Sequence, residues 1–251
     1  MKANRIGEIN ILKCGEKGII QEYNNAKDIF VKIESTGEII HTTYSNFKKG
    51  KVGSNFTPSV YNVGIVGLIN TVDDNGKRIK SYEHWKGMLR RCYSKKSEIK
   101  YPTYKDCSVC DEWLYFPNFK KWFNENYYEI DNETMCLDKD ILHKGNKIYS
   151  PENCVFAPNR INVLFVKNNS KRGSLPIGVC YRKDNNKYSA SLRMFDIKNK
   201  KLGCYNTPEE AFNAYKIAKE NYIKEVADEY KDKIPNNLYM AMYDYKVEIT
   251  D

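Results

Sequence analysis

The chain lacks any apolar run near the eighteen or so residues that a membrane-spanning helix needs. Its first ten residues, Met1–Asn10, carry charge but no apolar h-region, so no secretory signal is read there. No internal repeat is evident. Cysteines number eight, at 14, 92, 107, 110, 136, 154, 180 and 204, yet only Cys107 and Cys110 stand in C-x-x-C spacing. A structural zinc site needs a second pair, and the sequence offers no other C-x-x-C and no H-x-x-x-H. Zinc is therefore not expected; Cys92, Cys136 and Cys154 are the candidates for distant ligands if that expectation fails. In a reducing compartment the cysteines are expected as thiols.

What the chain does contain is enough apolar material to fold. At 251 residues, 41% hydrophobic and 13% aromatic, it has room for two or three small packed modules. The net charge of +9 is unevenly spread. Between Lys167 and Asn206 ten Lys/Arg (167, 171, 172, 182, 183, 187, 193, 198, 200 and 201) face only Asp184 and Asp196, a local +8. From Thr207 onward six Lys meet ten Asp/Glu, a local −4. Positive charge focused in this way suits a surface that meets phosphate. An ordinary solvated Lys-rich loop is the competing reading.

The first sixty residues read as short strands. Gly15, Gly18, Asn24-Asn25 and Thr36-Gly37 punctuate runs such as Ile29-Phe30-Val31-Lys32-Ile33 and Glu38-Ile39-Ile40-His41. A small β-barrel over 1–62 is expected. A Gly-rich connector, Val63 to Gly67, leads to a helix over Tyr82–Tyr93, with Trp85, Met88, Leu89 and Cys92 at helical spacing. A second helix is expected over Pro117–Asn126. Phe116, Phe119, Trp122 and Phe123 are read as its core face.

From Met135 to Phe165 the pattern becomes strand, loop, strand, helix. Cys136–Leu142 alternates apolar and polar, His143–Ser150 is a polar loop, Asn153–Ala157 is a short strand, and Pro158 opens a helix. Beyond a basic linker at 168–173, strands are expected at Ile177–Arg182, Lys187–Phe195 and Lys201–Tyr205. Thr207-Pro208-Glu209-Glu210 then opens a helix running to about Tyr230 with an N-cap threonine, a proline at the first turn and a glutamate at the third position. On the second strand Tyr188, Ala190 and Leu192 point to the helix, and Lys187, Ser189, Ser191 and Arg193 point away.

Two resemblances follow. The segments Leu137-Asp138-Lys139-Asp140, Ser150-Pro151-Glu152-Asn153-Cys154-Val155-Phe156 and Asn159-Arg160-Ile161-Asn162 resemble the HNH pattern of phage-borne homing endonucleases. By that resemblance Asp138 falls on the metal-binding acid, Lys139 on the general-base histidine, Asn153 on the middle asparagine and Asn162 on the last metal ligand. The ion implied is Mg²⁺ or Mn²⁺, working beside a scissile phosphate. Lys139 departs from the family. A solvated lysine is protonated and is no base, whereas a buried one can lose its proton or stabilise developing negative charge. His143, or a water held by Asp140, is the alternative base. A working nuclease, a degenerate nuclease fold kept for binding, and a coincidental match all stay open.

Ile177-Gly178-Val179, Lys187 to Arg193 and Leu202 to Ala211, followed by Ala214-Tyr215, resemble an APETALA2-type DNA-binding domain, in which a three-stranded antiparallel sheet backed by one helix enters the major groove. The resemblance places Arg182, Ser191 and Arg193 towards bases and Lys187, Lys198, Lys200 and Lys201 towards phosphates. Cys180 stands where the plant members carry a base-reading arginine, so a different target sequence is implied.

The expected architecture is thus α+β, with a barrel over 1–62, an HNH-like module over 63–167 and a DNA-reading module over 168–251. The expected partner is double-stranded DNA, with a homodimer, or a host protein bound through the N-terminal module, as further candidates, and no membrane. The preference for Lys over Arg, with abundant Asn, Ile and Tyr, suggests an AT-rich genome such as that of a phage, acting in the cytoplasm of a bacterial host cell. The expected function is metal-dependent cutting or nicking of duplex DNA. A non-catalytic DNA-binding regulator and a protein-interaction factor that blocks a host defence are the alternatives.

Overall fold

The computed structural model describes residues 5–166, 174–197 and 199–251. The chain is α+β, built from several small sheets. It divides into two compact units, Met1–Asn126 with Lys147–Pro151, and Tyr127–Asn146 with Glu152–Asp251. No helix among the described residues is long and apolar enough to cross a membrane.

In the first unit, β1 (Ile9–Ile11), β2 (Lys17–Asn25), β3 (Asp28–Ile33) and β4 (Ile39–Thr42) form an antiparallel meander in the order β1-β2-β3-β4. Two register shifts in β2 bend it. The expected barrel is corrected to an open sheet. Its outer strands, three and four residues long, pair only inward among the described residues, which leaves too little ladder for closure. A short helix, α1 (Tyr44–Lys48), instead drives Phe47 into the concave side against Leu12, Ile20, Val31 and Ile33.

The same unit holds α2 (Lys80–Tyr93), α3 (Lys95–Lys100), a 3₁₀ turn at Pro102–Tyr104, β5 (Ser108–Val109), α4 (Asp111–Leu114) and α5 (Phe116–Asn126). Trp85, Met88, Leu89, Trp113, Phe116 and Phe119 are fully buried. The Trp85 indole donates to the Trp113 carbonyl at 2.6 Å. Gly64 of the connector lies against this core, where a Cβ would stand 2.5 Å from Leu89 Cδ1 and 2.8 Å from Trp85. The glycine is there for close approach.

The second unit opens with β6 (Met135–Asp138). A two-residue strand of the first unit, β7 (Ile148–Tyr149), pairs in parallel with β5. The chain then returns as β8 (Val155–Pro158), antiparallel to β6 with Asp138 opposite Val155, and turns into α6 (Asn159–Asn162). Next come β9 (Val179–Arg182), β10 (Lys187–Leu192) and β11 (Lys200–Tyr205), in the sheet order β11-β10-β9. Two helices follow, α7 (Pro208–Tyr230) and α8 (Asn236–Asp244).

One core runs through this unit. Ile141, Val155, Ala157, Ile161 and Leu164 of the β6–β8–α6 element cluster with Val179, Ala190 and Leu192 of the sheet and with Ala211, Tyr215, Ile223 and Val226 of α7. Arg160 pairs with Glu229 at 2.8 Å, and Tyr230 donates to Glu133. Thr207 and Glu210 form the expected capping box on α7. Gly178 sits at φ +77, and a Cβ there would fall 2.0 Å from the Tyr215 ring, so only glycine lets the sheet lie this close to the helix.

Candidate functional site

Strand alternation decides which side chains of the C-terminal sheet meet solvent. Ala190 and Leu192 are buried against α7, and Tyr188 is half-buried. The intervening positions face out, and the register gathers them into rows. Lys187 lies opposite Arg182, Ser189 lies between Cys180 and Cys204, and Ser191 lies opposite Lys201. Directly paired residues project to one side of a sheet. Arg182, Lys187, Ser191 and Lys201 therefore share one solvent face. Arg193 is exposed just past the end of β10. Lys167 and Lys198, and Lys171 and Arg172 of the basic linker, lie outside the described residues.

Arg182 is already engaged. Its Nε and Nη2 donate to Asp184 at 3.1 and 2.8 Å, a bidentate pair on the exposed rim. A phosphate or base edge would have to displace Asp184, and exposed pairs of this kind hold weakly. Asp184 enters the sequence reading only through its charge. A bulge between Ala190 and Ser191 shifts β11 so that Lys201 rather than Leu202 stands opposite Ser191.

The β6–β8–α6 element brings Asp138, Lys139 and Asp140 together at the end of β6. Asp138 Oδ1 accepts from the backbone N–H of Asp140 at 2.8 Å and of Ile141 at 2.9 Å. This side-chain turn competes with the ladder and ends the strand at 138, where alternation alone had carried it to Leu142. Burial, and then the charge of Asp140, push the Asp138 carboxyl up to about 6.

Lys139 points the other way and is buried. Its Nζ donates to the Asn146 carbonyl at 2.8 Å and to Asp140 Oδ2 at 3.2 Å, while Asn146 Nδ2 donates back to the Lys139 carbonyl at 2.7 Å. The lysine thus ties the hairpin loop to the strand end. Asn146, which sequence reasoning passed over, is its main partner; the Gly145-Asn146 turn was the available signal.

The remaining expected residues are more dispersed. His143 is exposed on the loop, and its carbonyl accepts from Asn146 N. Asn153 sits in the turn entering β8, two residues before the partner of Asp138. Asn162 ends α6, which packs on both strands of the hairpin; its amide makes no hydrogen bond among the described residues. No described hydrogen bond joins Asn162 to Asp138.

The Asp138 and Asp140 carboxylates crowd each other, and carboxylate oxygens are the donors that a hard divalent ion takes. Lys139, beside Asp140, already supplies one compensating charge. Among the described residues no three His, Cys, Asp or Glu side chains converge; Cys107 and Cys154 are buried, and Cys92, Cys110 and Cys136 are half-buried. In the first unit an open groove runs beside β4, lined by Ile39, His41, Phe56 and Leu68, and Ile39, Phe56 and Leu68 are exposed there.

Scans of protein-family models, of curated proteins and of solved structures each returned no match, so the two resemblances rest on the residues quoted for them.

Proposed function

We propose that this chain binds duplex DNA through the outward face of the β9–β10–β11 sheet. The observation that carries this reading is the shared solvent face of Arg182, Lys187, Ser191 and Lys201, backed by a helix that buries the opposite side. A ribbon of this width fits a major groove, with lysines placed for phosphates and arginine for guanine edges. The resemblance to APETALA2-type domains points the same way. Fluorescence anisotropy with duplex from the gene's own neighbourhood tests it. Arg182→Ala/Arg193→Ala is expected to weaken binding at least tenfold with an unchanged melting temperature, and undiminished binding would sink the reading.

A second reading adds cleavage, and the crowded Asp138 and Asp140 carboxylates favour it. Asp138, Asp140 and Asn162 would hold a Mg²⁺ or Mn²⁺ ion, which would supply Lewis-acid activation of water and charge neutralisation at phosphate. The continuous core of the second unit would keep such a centre in fixed register with the sheet. Lys139 on this reading is a structural tie, because its ammonium is spent on Asn146 and Asp140. A base would have to come from the exposed His143 or from solvent. Supercoiled plasmid incubated with Mg²⁺ or Mn²⁺ decides. Relaxed or linear product that disappears with EDTA and in Asp138→Ala supports an endonuclease. Bound but intact DNA leaves a DNA-binding regulator that has kept a nuclease-like element.

A further inference from the structure

A second basic stretch lies in the first unit. From Lys77 to Lys105 ten Lys/Arg face only Glu83 and Glu98, a local +8 in twenty-nine residues. Glu83 is already paired with Arg78 at 3.3 Å. At the last turn of α2, Arg91 lies half-buried with its guanidinium against two tyrosine rings, 5.7 Å from the centre of Tyr104 and 5.3 Å from that of Tyr149. Its Nε donates to the Tyr149 hydroxyl at 2.9 Å. Among the described residues no carboxylate reaches Arg91, and its two terminal nitrogens donate to nothing. A half-buried guanidinium without an anion is costly, whereas one held by aromatic walls is a pre-organised fork for an oxyanion.

The surroundings leave room for that anion. Gly87, one turn back on the same face of α2, has no side chain; a Cβ there would come no nearer than 3.9 Å, to Arg91 Nη1. His84, a further turn back, is neutral at physiological pH, because burial and the charge of Arg91 lower it to about 4. Lys147 closes on the same 3₁₀ turn, its Nζ 3.4 Å from the Thr103 and Lys105 carbonyls on either side of Tyr104. Two cations thus border one turn, and Lys86, Arg90, Lys95, Lys96 and Lys105 extend the positive field along the chain.

We propose that Arg91 and Lys147 form a phosphodiester-binding site, so that the first unit grips the DNA backbone in addition to the contact made by the C-terminal sheet. This rests on the reading of the chain as a DNA-binding protein. The field is cationic and a phosphate contact carries no base information, so the contact adds affinity without reading sequence.

The test is duplex binding by the full chain, measured by anisotropy over a KCl series, for wild type, Arg91→Gln, Arg91→Lys, Lys147→Ala and Lys187→Ala/Lys201→Ala. Neutralising one phosphate contact lowers the slope of log K against log[KCl] by about 0.9. Arg91→Gln and Lys147→Ala are each expected to do so, and Arg91→Lys to keep most of the slope. Lys147 is exposed, so its variant reports on the site even if Arg91→Gln disturbs the tyrosine stack. A parallel titration follows the Arg91 Nε–H resonance against inorganic phosphate at constant ionic strength. A response to duplex that exceeds the response to phosphate is expected, and one to phosphate alone would reassign the site to a small anion and overturn the proposal. Unchanged slopes in Arg91→Gln and Lys147→Ala, beside a reduced slope in the sheet variant, would overturn this site and leave the sheet reading standing. Absence of any duplex binding by wild type at low salt would overturn both.

Discussion

Lys139 occupies the position that the HNH resemblance gives to a base, and its bonds describe a different job. An ammonium that donates to Asn146 O and Asp140 from a buried site stabilises the loop it closes, and removing it deletes both bonds. Lys139→Ala is therefore expected to cost about 2 kcal/mol, measured by urea denaturation, while leaving DNA affinity within twofold. A change below about 0.5 kcal/mol would argue against the structural role. His84 gives a residue-scale pH effect. Its native value is held near 4, below its ordinary 6.5, so the unfolded chain takes up the proton first as pH falls. The stability that the neutral ring contributes is complete above pH 6.5 and is lost between there and pH 4. His84→Asn should show a smaller drop in stability than wild type between pH 7 and pH 4. An identical drop in both would remove His84 as the cause.

Elements were legible where the signal is local. The helix over Tyr82–Tyr93 follows from apolar spacing, the alternation of β10 from its sequence, and the start of α7 from Thr207 and Glu210. Thr207→Ala should cost about 1 kcal/mol in thermal or urea unfolding. Gly178→Ala should cost more, about 3 kcal/mol, because it adds both a left-handed strain and a clash with Tyr215. A smaller effect than that of Thr207→Ala would mean that the helix can shift off the sheet cheaply. The parts that sequence reading missed depend on distant pairing or on side chains bonding to backbone. Closure of the N-terminal sheet required β1 to meet β4, which no local pattern encodes. The strand expected to reach Leu142 stops at Asp138, because the carboxylate that the resemblance assigns to metal also caps a turn. Helix α8, with Leu238 and Met242 buried, was not anticipated.

At the scale of the whole molecule, charge and core tell one story. Acidic residues concentrate in the segment that backs the sheet, basic ones in the sheet and in the Lys77–Lys105 stretch. The β6–β8–α6 element shares one core with the C-terminal sheet, so on the proposed reading binding and any cutting are coupled through one compact unit. The register sets Arg182, Lys187, Ser191 and Lys201 on one face, and the pairing of Arg182 with Asp184 is a feature that sequence alone does not show. The central claim is that the outward sheet face meets DNA phosphate. It is tested most directly by the salt dependence of duplex binding for wild type and for Lys187→Ala/Lys201→Ala. The account predicts a steep wild-type dependence, with the slope lowered by about 2 in the double variant. A steep slope that the double variant leaves unchanged would contradict it.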